Sequence, residues 1–141
     1  MNERTEFFKK DALAAHLGIE LLEVSDGGAK ARMPLKDFHN NMLGIVHGGA
    51  VFTLADHVFA ASVNSYGQVA VAIHVSISYL RGVKGDILYA DSREVSRNPK
   101  LATHSISVRD EEGNLVAMFE GMAYIKNQKI LFVQGTVIPL K

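Results

Sequence analysis

Sixteen consecutive residues, Gly48 to Val63 (GGAVFTLADHVFAASV), constrain this chain more than any other stretch. They are almost wholly small or apolar, and Asp56 is their only charged side chain. A helix that is apolar all round is covered on every side. A carboxylate fixed inside it is costly unless something pairs with it or uses it. The run falls short of the ~20 residues that span a bilayer, and Asp56 and His57 interrupt it. It therefore predicts a central core helix wrapped by a sheet, with Asp56 as the chemically significant group.

The remainder of the 141 residues has to supply that wrapping, and the length suits one domain spanning residues 1–141. Residues 3 to 17 place Phe7, Phe8, Ala12, Leu13 and Leu17 at helical spacing, with Gly18 as a stop. A hairpin is expected from 19–25 and 29–35 around Asp26-Gly27-Gly28, with Pro34 ending it or lying at an edge. Residues 36 to 46 read as a loop, and the apolar helix is expected to run to about Tyr66, where Gly67 stops it.

From Val69 the period changes to two. Val69, Val71, Ile73, Val75, Ile77 and Tyr79 are expected on one face, with Ala70, Ala72, His74, Ser76 and Ser78 on the other. Tight turns at 84–86, 98–100 and 112–114 separate further strands over 87–97, 101–109 and 115–126. The apolar segment 130–138 has no clear assignment; it could extend the sheet or pack outside it. Long strands joined by tight turns make an antiparallel sheet, so the class is α+β with a curled sheet around one long helix.

Composition excludes several functions. Acidic and basic residues balance at fifteen each, which gives no electrostatic case for nucleic acid or an anionic membrane. With no cysteine there is no disulfide, thiol nucleophile or thiolate metal ligand, and the cytoplasm is the expected compartment. The first 18 residues are charged and lack the apolar core of a secretory leader. The six histidines have no metal-ligand spacing, so no metal is expected. His57 follows Asp56, but adjacent helical side chains diverge by about 100°, so the two are not a catalytic dyad on one subunit. No nucleophile elbow, P-loop or dinucleotide fingerprint occurs.

The motif around the helix start is more specific. Asn41, Gly44, His47-Gly48-Gly49 and Leu54-Ala55-Asp56 follow the spacing N-x2-G-x2-H-G-G-x4-L-A-D. This resembles the signature of hotdog-fold acyl-CoA thioesterases, in the branch of the phenylacetic-acid-degradation enzymes. The segments YLRGVKGD (79–86) and DEEGNLVAMFEGMAYI (110–125) are similar in position and character, and the resemblance runs from about Leu17 to Lys126. Two departures stand out. Gly82 occupies a position that is often proline in the family, and Ala60 and about Ala72 fall where some relatives place a hydroxyl near the attacking water.

The resemblance implies hydrolysis of acyl-CoA thioesters without metal or cofactor, coenzyme A entering only as part of the substrate. The acyl group could be aromatic, such as phenylacetyl or hydroxyphenylacetyl, or of medium chain length. Asp56 would be general base or nucleophile. The helix N-terminus at Gly48 and Gly49 offers unsatisfied N–H groups to a developing oxyanion. Asn41 and His47 would position the substrate, although a turn asparagine and a cap-region histidine are equally ordinary at such places. Arg81, Lys84, Arg97, Asn98 and Lys100 resemble family loop residues that border the coenzyme, and each could also be a solvated turn residue.

Geometry adds a constraint. Gly48 and Asp56 lie eight residues apart, about 12 Å along a helix at ~1.5 Å per residue. Reacting atoms must approach to ~3.5 Å, so one helix cannot supply both groups to one carbonyl. A second copy across a two-fold axis repairs this, and the family builds its site that way; a homodimer, or a homotetramer, is expected. The rival reading is a non-catalytic acyl-CoA-binding or sensing module. A hydratase on the same fold would need a His/Asp or His/Glu constellation that the chain lacks.

Overall fold

The computed structural model describes residues 2–140. The chain opens with two short helices, α1 (Glu3–Phe8) and α2 (Ala12–His16), and a hairpin of β1 (Glu20–Ser25) and β2 (Gly28–Pro34). A single 3-10 turn, Asp37–His39, leads to α3 (Gly48–Val63). Strands β3 (Gln68–Tyr79), β4 (Ile87–Arg97), β5 (Leu101–Arg109), β6 (Leu115–Leu131) and β7 (Thr136–Pro139) complete the chain, and β3 crosses to the far edge beside β6 instead of pairing with β4. The sheet is antiparallel throughout, in the order β1-β2-β4-β5-β6-β3, with β7 paired to the far end of β6. It curls around α3, the hotdog arrangement, as the all-apolar helix requires.

Ten of the sixteen residues of α3 are buried. Leu54, Val58 and Phe59 meet Ala31, Met33, Leu88, Ala90, Ile106, Val108 and Phe119 from the sheet. Close contact depends on Gly121 in the middle of β6. A Cβ there would lie 2.7 Å from the Phe59 ring, so only glycine lets the ring rest on the strand. Phe59 and Phe119 also pack with ring centroids 5.6 Å apart.

Three expectations change in detail. Residues 3 to 17 are not one helix, because the Asp11 side chain accepts the Ala14 N–H at 3.0 Å and starts a second one. The central helix stops at Val63 rather than Tyr66, since Asn64 takes the Ala70 N–H and donates to the Ala60 and Ala70 carbonyls. The alternation in β3 is broken by register shifts between Gln68 and Ala70 and between Ala72 and His74. Ala70 is therefore buried on one side of the shift and Val75 and Ile77 pack on the core beyond it, while Val71 and Ile73 are exposed. The unassigned C-terminal segment extends the sheet, as the end of β6 and β7.

Candidate active site

The loop from Lys36 to His47 is built to present the first turn of α3. His39 is buried, with Nδ1 accepting the Lys36 N–H at 2.8 Å and Nε2 donating to the Leu17 carbonyl at 2.7 Å. Asn41 closes a turn on itself, its side-chain Oδ1 accepting the Leu43 N–H at 2.9 Å and the Ile45 N–H at 3.4 Å. That leaves the Asn41 Nδ2 group with no protein acceptor among the described residues. Gly44, with φ of +76°, makes the bend that returns the chain toward the helix.

The two glycines at the helix start sit under close side chains and need no special backbone angle. A Cβ on Gly48 would meet the Tyr79 ring at 3.2 Å, and one on Gly49 would meet His47 Nδ1 at 3.0 Å. His47 is the N-cap, and its Nδ1 accepts the Gly49 N–H at 2.8 Å. The ring proton of its neutral form is thereby placed on Nε2. The His47 carbonyl takes the N–H groups of Ala50 (3.0 Å) and Val51 (3.3 Å). Of the first four helical N–H groups, Gly48 alone has no acceptor among the described residues.

Gly48 borders a groove of about 590 Å³. Its lining includes Asn41, Gly44, Gly48, Val51, Tyr79 and Arg81. The Tyr79 hydroxyl donates to the Gly48 carbonyl at 2.9 Å and fixes this edge. Arg81 reaches along the rim and donates to Asn114 Oδ1 at 3.1 Å. Lys84 follows, its backbone N–H held by Asp110 Oδ2 at 3.1 Å.

The other expected coenzyme contacts lie elsewhere in the chain. Arg97 stacks over the Tyr66 ring at 4.2 Å, beyond the C-terminal end of α3. Asn98 Oδ1 accepts the N–H groups of Lys100 and Leu101, each at 2.9 Å, and shapes the β4–β5 turn. The 16-residue helix is about 24 Å long at ~1.5 Å per residue, so one chain does not bring Arg97, Asn98 and Lys100 to the groove.

Asp56 does not line the groove either. It is half-buried in the middle of α3 and makes no hydrogen bond among the described residues. Burial pushes its carboxyl above the usual carboxylate range, and the neighbouring Asp11 adds to that. Neither a helix end nor His57 satisfies it. His57 turns away to Asp11, Nδ1 to Oδ2 3.5 Å, and burial holds its imidazole below its ordinary value. Among the described residues no group of three or more His, Asp or Glu is placed to hold a metal, and no helix is long and apolar enough to cross a membrane.

Sequence reasoning did not single out Tyr79 or Asp11. Tyr79 could have been found as the large residue closing the longest alternating run, opposite a glycine-rich helix start. Asp11 was hidden because the pattern read as one helix, where its cap role does not arise.

A helix inside a curled antiparallel sheet, with a donor-bearing N-terminus and a mid-helix carboxylate, defines the class. Residues 43–117 match the family model described as the thioesterase superfamily. The chain belongs to that family, in the hotdog-fold branch that includes the phenylacetic-acid-degradation thioesterases. It is 38% identical to an Archaeoglobus fulgidus protein known as an esterase by name alone, over 86% of this chain and 79% of the other. It is 32% identical to the acyl-coenzyme A thioesterase PaaI of Escherichia coli, over 83% and 84% of the two chains.

The solved structure of Escherichia coli PaaI superposes with a TM-score of 0.80, at 31% identity and 85% and 88% coverage of the two chains. A Streptococcus pneumoniae hypothetical thioesterase solved with coenzyme A gives 0.79, at 25% identity and 86% and 96% coverage.

Proposed function

We propose that this protein hydrolyses acyl-CoA thioesters, and that each site joins the Gly48 N–H of one subunit to Asp56 of another. The observation that carries the reading is the unpartnered N–H of Gly48, a residue that lines a groove of about 590 Å³. It is a preorganised donor for the oxygen that gains charge when the carbonyl carbon is attacked. Asn41 Nδ2 is a second free donor on the same groove.

Asp56 acts as general base toward water, or attacks the carbonyl itself; either route breaks the C–S bond and yields free acid and coenzyme A thiol. The half-buried setting that raises its carboxyl also makes it a better base. Arg81 and Lys84 suit the phosphates of the coenzyme, and Arg97, Asn98 and Lys100 can reach them only from a neighbouring subunit.

Support for a second copy comes from β3. It pairs with β6 alone, and its other edge is open. Val71 and Ile73 are 44% and 56% exposed on this strand. An open apolar edge of twelve residues invites pairing with its own two-fold mate. The acyl group is aromatic, of the phenylacetyl type, or of medium chain length. A non-catalytic acyl-CoA-binding module is the rival.

A panel of acyl-CoAs assayed for free thiol tests class and substrate together. Release of thiol on part of the panel, with a loss of about 10²–10⁴-fold for Asp56→Asn, supports hydrolysis. Coenzyme binding with no thiol released above background, and no effect of Asp56→Asn, would leave the binding module.

A further inference from the structure

The N-terminal arm of the chain is anchored at several points that have no part in the groove. Phe132, in the turn after β6, packs edge-on against Phe7 and Phe8 at 5.6 Å and 5.8 Å. Arg4 pairs with Asp26, and Asn2 Nδ2 donates to the Val24 carbonyl at 3.3 Å. Held this way, the connection between α1 and α2 lies across the middle of α3. Its tip is Asp11.

Asp11 divides its carboxylate between two tasks. Oδ1 caps α2 by accepting the Ala14 N–H at 3.0 Å, and Oδ2 sits 3.5 Å from His57 Nδ1. His57 is 6% exposed and is the chain neighbour of Asp56, whose Cα is ~3.8 Å from its own. The Asp11 carboxylate thus sits beside the chain neighbour of Asp56, and it is the one charged group that adds to the effect of burial on the Asp56 carboxyl.

We infer that Asp11 is a positioning residue for the proposed hydrolysis: the docked N-terminal arm holds a carboxylate beside the chain neighbour of Asp56 and adds to the pH that Asp56 needs to become a base. The inference rests on the hydrolytic reading of Asp56. Like charges disfavour each other's ionised forms, so Asp11 reinforces what burial does to Asp56. Burial works against the charged form of His57, which limits how far its ring can offset Asp11. Lys9 and Glu20 border the adjoining cleft with His57. From the sheet side the titratable group is His104, which packs edge-on to Phe59 at 6.3 Å and whose charged form burial also disfavours. Asp11 is the charge that Asp56 feels most.

The sign follows directly. Wild-type activity falls as pH drops through the raised midpoint of Asp56, because the protonated carboxyl is neither base nor nucleophile. Asp11→Asn keeps the helix cap, since asparagine caps as well as aspartate, and removes only the charge. The Asp56 midpoint then moves to lower pH.

The test follows the Asp56 carboxyl by carbon-13 NMR titration in the full chain, wild type against Asp11→Asn, with Asp56→Asn assigning the resonance. The acid limb of kcat/KM on the best acyl-CoA is recorded in parallel. The expected result is a downward shift of both midpoints in Asp11→Asn. An unchanged NMR midpoint in a folded Asp11→Asn protein would overturn the inference and leave Asp11 a helix cap only. If the NMR midpoint shifts while the wild type hydrolyses no acyl-CoA, the coupling stands and the hydrolytic reading falls.

Discussion

The two ends of α3 obey opposite rules. At the C-terminal end the polar side chains of Ser62, Asn64 and Ser65 are all tied back into the fold. Ser62 Oγ donates to the Val58 carbonyl at 2.7 Å and lies 2.6 Å from Ser92 Oγ. Ser65 Oγ donates to the Ser62 carbonyl at 2.7 Å and accepts the Gly27 N–H at 2.8 Å. Asn64 ties the last turn to β3 through Ala70. At the N-terminal end the cap is equally thorough for Gly49, Ala50 and Val51, yet it stops one residue short. The Gly48 N–H is left without an acceptor among the described residues, at a residue that lines the groove. A closed end holds the fold, and an end with one donor withheld is available for chemistry.

The comparison can be broken most severely at Gly48. Gly48→Pro deletes the withheld N–H at the first helical position, where proline is well tolerated. His47, at φ −66° and ψ 133°, already has the extended backbone that a following proline demands. The exposed Tyr79 ring can move to make room. A fall of about 10²–10³-fold in kcat is expected, with the midpoint of thermal unfolding nearly unchanged. Equal loss of stability and activity would mean that the helix start is structural.

Tyr79→Phe gives a smaller effect. It removes one hydrogen bond to the Gly48 carbonyl while keeping the ring that fills the space beside the glycine. Steady-state kinetics should show at most about a tenfold reduction in kcat/KM. Ser62→Ala at the closed end should do the reverse. It loses about 1 kcal/mol of stability, seen as a few degrees in thermal unfolding, with kcat and KM preserved. A change in kcat from Ser62→Ala would erase the distinction between the ends.

Much of this was legible in the sequence. The apolar run with one carboxylate marked the core helix, and β4 and β5 begin and end where the turn residues place them. The HGG triplet indicated the helix start, although the structure alone explains both glycines by what a side chain would strike, Tyr79 and His47. What escaped the sequence was long-range. A bulge in β3 moves the apolar set from one face to the other without any change in residue type. Asp11 reaches His57 only because Phe132, more than a hundred residues later, helps pin α1. Arg97 looks like a free loop cation in sequence, and in the fold it stacks on Tyr66.

The central claim is that Gly48 and Asp56 serve one carbonyl from two chains. Mixing Gly48→Pro with Asp56→Asn protein, after dissociation and reassociation, tests it directly. Each variant alone is nearly inactive. Random pairing of equal amounts puts half the chains in mixed dimers with one intact site of two, so activity returns to about a quarter of wild type. Activity that stays at the sum of the two inactive variants, with mixed dimers demonstrably formed, would contradict the shared site.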